Sequence, residues 1–244
     1  MDLTSLDGTE SAQHIRNLCD RARLPDPTDP SLPRVAAVCV LPPFVAVVRE
    51  RLTGTGVRTA AAAGAFPSGR APLDERLREI SAAIRDGAEE IDTVLDHTAF
   101  LNRRERAALE ELVATRETCG GDVTLKVILE TGVLGSPEVI RHATTLAIRA
   151  GADFVKSSTG RIGPGATPEA ARAMMEAVRD EYEHSRRRVG VKLAGGIRRS
   201  AQALDYLGLA TQILGEEWTG PPGFRIGASS LLDDVVEELR RPRA

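Results

Sequence analysis

Short runs of β-branched and aliphatic residues alternate along the chain with longer stretches whose apolar positions recur every three or four residues. The first kind of run predicts strands and the second amphipathic helices. Their regular alternation predicts a parallel sheet with crossover helices. Eight strands are predicted, at 35–40 (VAAVCV), 57–63, 90–95, 123–129, 153–157, 189–193, 211–215 and 223–227. The runs at 57–63 and 211–215 have the weakest strand character, because alanine and glutamine are poor strand formers. Helices are predicted at about 43–53, 73–86, 102–118, 136–149, 168–184, 199–208 and 229–241, with one at about 9–22 ahead of the first strand.

The punctuation agrees with these elements. Thr167-Pro168 and Ser136-Pro137 each read as an N-cap followed by proline at the first helical position. Gly87 and Gly151 each close a helix and open the next strand. The proline-rich stretch 24–33 is an extended connection. No domain boundary interrupts the pattern, so residues 1–244 form one parallel (β/α)8 barrel with a short N-terminal helix preceding the first strand.

Alternation within the strands places unusual residues inside that barrel. In 123–129, Val123, Leu125, Val127 and Leu129 share the face toward the helices, which turns Lys126 to the axis. The same logic turns Asp92, Lys156 and Lys192 inward from their own strands. Such interiors are ordinarily filled with branched apolar side chains. Four ionisable groups converging there must pair, shift their pKa values, or both. A lysine crowded by a second ammonium in a dry site is partly neutral at pH 7 and nucleophilic toward a carbonyl carbon. One carboxylate, Asp92, can hold the pair and move protons.

Composition adds boundaries rather than direction. Apolar residues make up 42 % of the 244 and charged residues 27 %, with a formal net charge of −3. Such a balance gives no polyanion-binding surface, so no nucleic-acid partner is expected. Cys19, Cys39 and Cys119 have no paired spacing, and the four histidines are dispersed, so neither a disulfide nor a metal site is expected. The N-terminal residues lack a signal-peptide pattern and no apolar run approaches bilayer length. A cytoplasmic protein without a membrane partner is expected.

Glycine-rich turns follow three late strands: Ser157–Arg161, Ala194-Gly195-Gly196-Ile197-Arg198 and Gly227-Ala228-Ser229-Ser230. Glycine lets backbone N–H groups approach an anion, and a helix N-terminus behind the turn adds a positive dipole end. Phosphate sites of such barrels commonly use the last two loops. Ser229 or Ser230 can equally be a plain N-cap.

At DFVKSSTG, VKLAGGIR and FRIGASSLL, with AVCVLPPFV, GAFPSG, EIDTVL and LKVILETG, the chain resembles the 2-deoxyribose-5-phosphate aldolases over nearly its whole length. The resemblance implies a class I aldolase of deoxyribonucleotide and carbohydrate breakdown. It would cleave 2-deoxy-D-ribose 5-phosphate reversibly to acetaldehyde and D-glyceraldehyde 3-phosphate through a lysine Schiff base. It implies no metal or organic cofactor, and a homodimer. Lys156 would form the Schiff base, Lys192 would lower its pKa, and Asp92 would relay protons. Gly160, Gly195, Gly196, Gly227, Ser229 and Ser230 would hold the phosphate, with Arg161 adding charge. Asp2 and Thr4 would lie near the substrate hydroxyls, and Lys126 would be a further active-site lysine. Cys39 would match a strand-end cysteine implicated in inactivation by aldehydes, although a small buried hydrophobe reads the same way.

The chain departs from the family in three places. Arg161 stands where lysine is usual, Leu193 where proline is common, and the tail ends without a terminal tyrosine. Two other readings stay open on the residues alone: a transaldolase-like Schiff-base enzyme, and a sugar-phosphate-binding protein without catalysis.

Overall fold

Parallel neighbours cannot be joined by tight turns, so each strand must hand over to a crossover before the next begins. The computed structural model follows that rule throughout residues 1–241. Residues 242–244, where the tail ends without a tyrosine, lie outside the described residues. Strands β1 (Asp2–Ser5), β2 (Ala37–Val40), β3 (Arg58–Ala62), β4 (Glu90–Val94), β5 (Thr124–Ile128), β6 (Phe154–Lys156), β7 (Gly190–Ala194) and β8 (Phe224–Ala228) pair in chain order. All pairings are parallel, and β8 closes onto β1 through Asp2↔Gly227 and Leu3↔Ala228. The fold is the expected (β/α)8 barrel.

Helices α1 (Ala12–Arg23), α2 (Val45–Leu52), α3 (Leu73–Arg85), α4 (His97–Leu101), α5 (Glu105–Cys119), α6 (Thr131–Leu134), α7 (Pro137–Arg149), α8 (Pro168–Ser185), α9 (Ser200–Leu214) and α10 (Leu231–Arg240) surround it. The expected caps form: the Ser136 hydroxyl accepts from Val139 N, and the Thr167 hydroxyl accepts from Ala170 N. No helix among the described residues is long and apolar enough to cross a membrane.

Two expectations are corrected. The segment 211–215 is not the seventh strand, because Thr211–Leu214 ends α9. Ala203, Leu207, Ala210 and Leu214 recur at helical spacing and pack on the core, and Gly215 at φ 97° stops the helix. Nor does a helix precede the first strand. Asp2–Ser5 is itself β1, which makes α1 the crossover to β2. Its four residues contain a single aliphatic side chain, Leu3, and therefore no hydrophobic run.

The outward-facing strand residues, among them Leu3, Val38, Ile91, Leu125, Val127, Val155, Val191 and Leu193, join the helices in one apolar layer. Each such side chain contributes about 1.5–3 kcal/mol by leaving water. The inward face is lopsided. On β2 and β3 it carries only Ala37, Cys39, Ala60 and Ala62, a small separate cluster. Across from them, β5 to β8 send in Lys126, Phe154, Lys156, Lys192 and Arg225, all nearly or fully buried. Small residues on one side leave the volume that long ones on the other fill.

Gly190 belongs to this fit, since a Cβ there would overlap the Phe154 ring. Gly190→Ala is therefore expected to destabilise the fold by about 1–3 kcal/mol, read as a lower urea midpoint. Phe154→Leu in the same chain should recover part of the loss; no recovery would mean that the two side chains do not compete for this space.

Candidate active site

Period-two alternation aims Asp92, Lys126, Lys156 and Lys192 at one another from β4, β5, β6 and β7, as expected. Lys126 meets Asp92 at 2.7 Å, while Lys156 and Lys192 each meet it at 2.8 Å. Each of these four residues is at most 2 % exposed. Three further charges complete the arrangement. Lys192 lies 2.6 Å from Asp2, Asp2 2.6 Å from Arg225, Arg225 3.3 Å from Glu90, and Glu90 2.6 Å from Lys126.

The result is a closed ring: Asp92, Lys192, Asp2, Arg225, Glu90, Lys126 and back to Asp92. Three carboxylates alternate with three cations, and Lys156 hangs on the ring at Asp92 alone. Glu90 and Arg225 were not singled out in the sequence, although period two reaches both: Glu90 shares the face of Asp92, and Arg225 that of Gly227.

The ring fixes the ionisation of its members. Burial alone would raise the pKa of Asp92, but the ammonium groups of Lys126, Lys156 and Lys192 hold it well below the carboxylate range. Burial opposes a charge on Asp2 too, and Lys192, Lys126 and Arg225 overcome it. Burial would likewise strip the proton from Lys192, yet Asp2 and Asp92 raise its pKa, so it is an ammonium at neutral pH. Cys39, whose Sγ lies 3.9 Å from an Asp92 oxygen, is pushed up to about 11 by burial and by that carboxylate. Its thiol is neutral at pH 7 and a poor nucleophile.

Above Lys156 opens a cavity of about 440 Å³. Lys156, Thr4, Gly160, Arg161, Gly195, Gly196, Gly227, Ser229 and Ser230 all line it. Lys192 and Asp92 sit beneath its floor, as do Asp2 and Lys126. Asp2 itself does not line the cavity: β1 turns it into the ring, while Thr4, two residues on, reaches the cavity. Lys126 is withdrawn in the same way.

The glycine-rich loops around the cavity are held by their own polar groups. The Ser157 hydroxyl accepts from Ala194 N at 2.9 Å, and Ser158 donates to Ala194 O at 2.8 Å. Ala166 N donates to Ala194 O and Gly195 O, so the two backbones touch. A Cβ on Gly195, which sits at φ 89°, would meet Gly165 Cα and the Ser158 hydroxyl, each at 2.7 Å. The buried Glu130 carboxylate accepts from the Thr159 hydroxyl at 2.6 Å and from its N–H.

Ser230 occupies the N-cap position of α10 but makes no side-chain cap bond, which leaves its hydroxyl available to a ligand. Arg161 is not free, because it pairs with Asp7 at 2.6 Å. Arg198, which also lines the cavity, has no ion pair among the described residues. From α1, His14, Asn17 and Arg21 reach the rim, which required knowing that α1 packs over the end of β1.

Comparison with known proteins places the chain among similar barrels. The model of the DeoC/LacD family aldolases matches residues 1–235. A Coccidioides immitis protein carrying a provisional deoxyribose-phosphate aldolase name is 30 % identical, with TM-score 0.79, over 98 % of this chain and 83 % of that one. A protein described as QR15, an aldolase, is 29 % identical with TM-score 0.77, over 99 % and 95 %. The tetrameric deoxyribose phosphate aldolase of Aeropyrum pernix is 25 % identical with TM-score 0.73, over 98 % and 88 %.

The pKa directions set the sign of a stability profile. Asp2 and Asp92 ionise below their unfolded range of about 4, so their contribution is complete above about pH 5 and is lost as pH falls. Lys192 and Lys126 are raised above about 10.4, so theirs persists below that pH and is lost above it. The urea midpoint should be level from about pH 5 to 10 and fall on either side. Asp92→Asn, which leaves three ammonium groups short of a partner, should cost on the order of 3–5 kcal/mol and flatten the acid side. An acid limb unchanged in that variant would remove Asp92 from this account.

Proposed function

The chain belongs to the DeoC/LacD family of aldolases, and we propose that it cleaves 2-deoxy-D-ribose 5-phosphate reversibly to acetaldehyde and D-glyceraldehyde 3-phosphate through an imine on Lys156. One observation carries this reading. The interior is charge-balanced without Lys156, and Lys156 is the interior lysine that reaches the cavity. The ring carboxylates already have cations of their own, so Lys156 is the lysine whose charge the ring does not require. The neutral amine is then nucleophilic toward an aldehyde carbon.

In this mechanism the Lys156 nitrogen adds to C1 of the open-chain sugar, and loss of water leaves an iminium. A base removes the proton of the C3 hydroxyl. The C2–C3 bond then breaks with its electron pair moving toward the iminium nitrogen, which releases glyceraldehyde 3-phosphate. Protonation of the resulting enamine at C2 and hydrolysis of the imine release acetaldehyde and restore the amine. Asp92 touches both Lys156 and the Lys192 ammonium, and so provides a path for protons between the two nitrogens. The phosphate would lie at Gly195-Gly196 and at the start of α10, where backbone N–H groups and the helix dipole favour an anion. Ser229 and Ser230 would donate to it, and Arg161 and Arg198 add positive charge.

Borohydride reduction in the presence of acetaldehyde, followed by peptide mass spectrometry, is expected to leave one ethyl group on Lys156. Lys156→Arg should abolish the label, because a guanidinium stays protonated and forms no imine. Labelling of another lysine in the unaltered protein would end this mechanism, and no label at all would favour a binding protein without catalysis.

The phosphate site is tested separately. Two hydrogen bonds to a charged group contribute about 1.5–3 kcal/mol each. Ser229→Ala with Ser230→Ala should therefore lower kcat/KM for the phosphorylated sugar at least ~10-fold, with little change for free 2-deoxyribose. Equal losses on both substrates would move the phosphate elsewhere.

A further inference from the structure

Lys156 touches the ring only at Asp92, and the member directly opposite Asp92 is Arg225, bound on one side to Asp2 and on the other to Glu90. Neither Arg225 nor Glu90 lines the cavity. Arg225 also donates to Pro221 O and lies over the Phe154 ring at 5.5 Å, so it is fixed by more than its charge. We propose that Arg225 and Glu90 are positioning residues that close the ring at zero net charge and thereby set the fraction of Lys156 that is neutral. The proposal rests on the reading of Lys156 as the imine-forming lysine.

Charge counting gives the direction. An arginine keeps its proton at any working pH, so Arg225 is a permanent cation. With Arg225 made neutral, three carboxylates would face three lysines, Lys156 included, and its ammonium would be matched. With Glu90 made neutral, the interior would carry a further unmatched positive charge, and the Lys156 ammonium would be disfavoured. In a desolvated interior a unit charge several ångströms away shifts such an equilibrium by on the order of one pH unit.

The other titratable groups near the ring and the cavity lie outside the ring. Cys39 is a neutral thiol from β2, and Glu130, after β5, is bonded to Thr159. Arg161, paired with Asp7, lines the cavity with His14, Arg21 and Arg198. The Met1 amino group interacts with Asp2 and Arg225, and burial pushes its pKa down.

The test follows the chemistry itself. The neutral Lys156 nitrogen adds to the carbonyl carbon of acetaldehyde, water leaves, and cyanoborohydride delivers hydride to the iminium carbon, giving N-ethyl-lysine. Its rate is measured against pH on the full chain by peptide mass spectrometry, with circular dichroism to confirm the fold of each variant. Arg225→Met should move the acidic limb to higher pH by about one unit, and Glu90→Gln should move it to lower pH. The double variant restores balance and should return it to the starting position. Arg225→Lys, which keeps the charge but not the guanidinium contacts, should leave it in place. Should Arg225→Met fail to fold, Glu90→Gln and the double variant carry the same comparison.

Limbs that stay fixed, or that move the same way in both single variants, would overturn the proposal while labelling at Lys156 left the imine reading intact. Absence of label on Lys156 in the unaltered protein would overturn both.

Discussion

A carboxylate or ammonium withdrawn from water costs several kcal/mol unless an opposite charge and good hydrogen bonds replace the solvent. Six such groups alternate in sign inside this barrel, and much of the surrounding sequence serves their geometry. The alanines of β2 and β3 leave room for long side chains from the opposite strands. Gly227 has no Cβ because one would press on Lys192 Cε at 3.0 Å. Phe154, which needs Gly190 beside it, forms a wall under the Arg225 guanidinium. The ring is thus a packing problem as much as an electrostatic one, and both are solved by the same strands.

The cavity is built on a different principle. Its walls are loop backbones pressed together at Gly165 and Gly195 and tied by the serines that follow Lys156. Because those serines follow Lys156 directly, the strand end that brings this lysine to the cavity also anchors the glycine-rich turn after β7. The buried Glu130 ties Thr159, which follows those serines, to the loop after β5. Distance between the two ends of a ligand is thereby set by a few rigid residues rather than by mobile side chains.

How much of this could be read from the chain depends on which force dominates locally. Lys126, Lys156, Lys192 and Asp92 were legible because strand alternation is strict and a charge on an inward position is conspicuous. Glu90 and Arg225 obeyed the same rule, but they lie at strand starts, where a polar residue looks like the end of a loop. β1 escaped because pairing on both sides by β2 and β8 replaces the hydrophobic run that a strand ordinarily needs. The segment 211–215 misled because Ile213 and Leu214 form a short apolar run, while the helical spacing that decides the matter begins several residues earlier. The place of Asp2 in the ring depends on the register of β1, which no local pattern contains.

The pairing of Asp2 with Arg225 joins residues 223 positions apart. Asp2 therefore lacks its guanidinium partner until β8, the last strand, is in place. Until then β1 has no β8 beside it, Lys192 lacks one of its two carboxylates, and the barrel is an open sheet with two free edges. Contacts of such separation slow folding and lengthen the life of incomplete forms. The ring and the closure of the barrel accordingly depend on the same pairing of the first strand with the last.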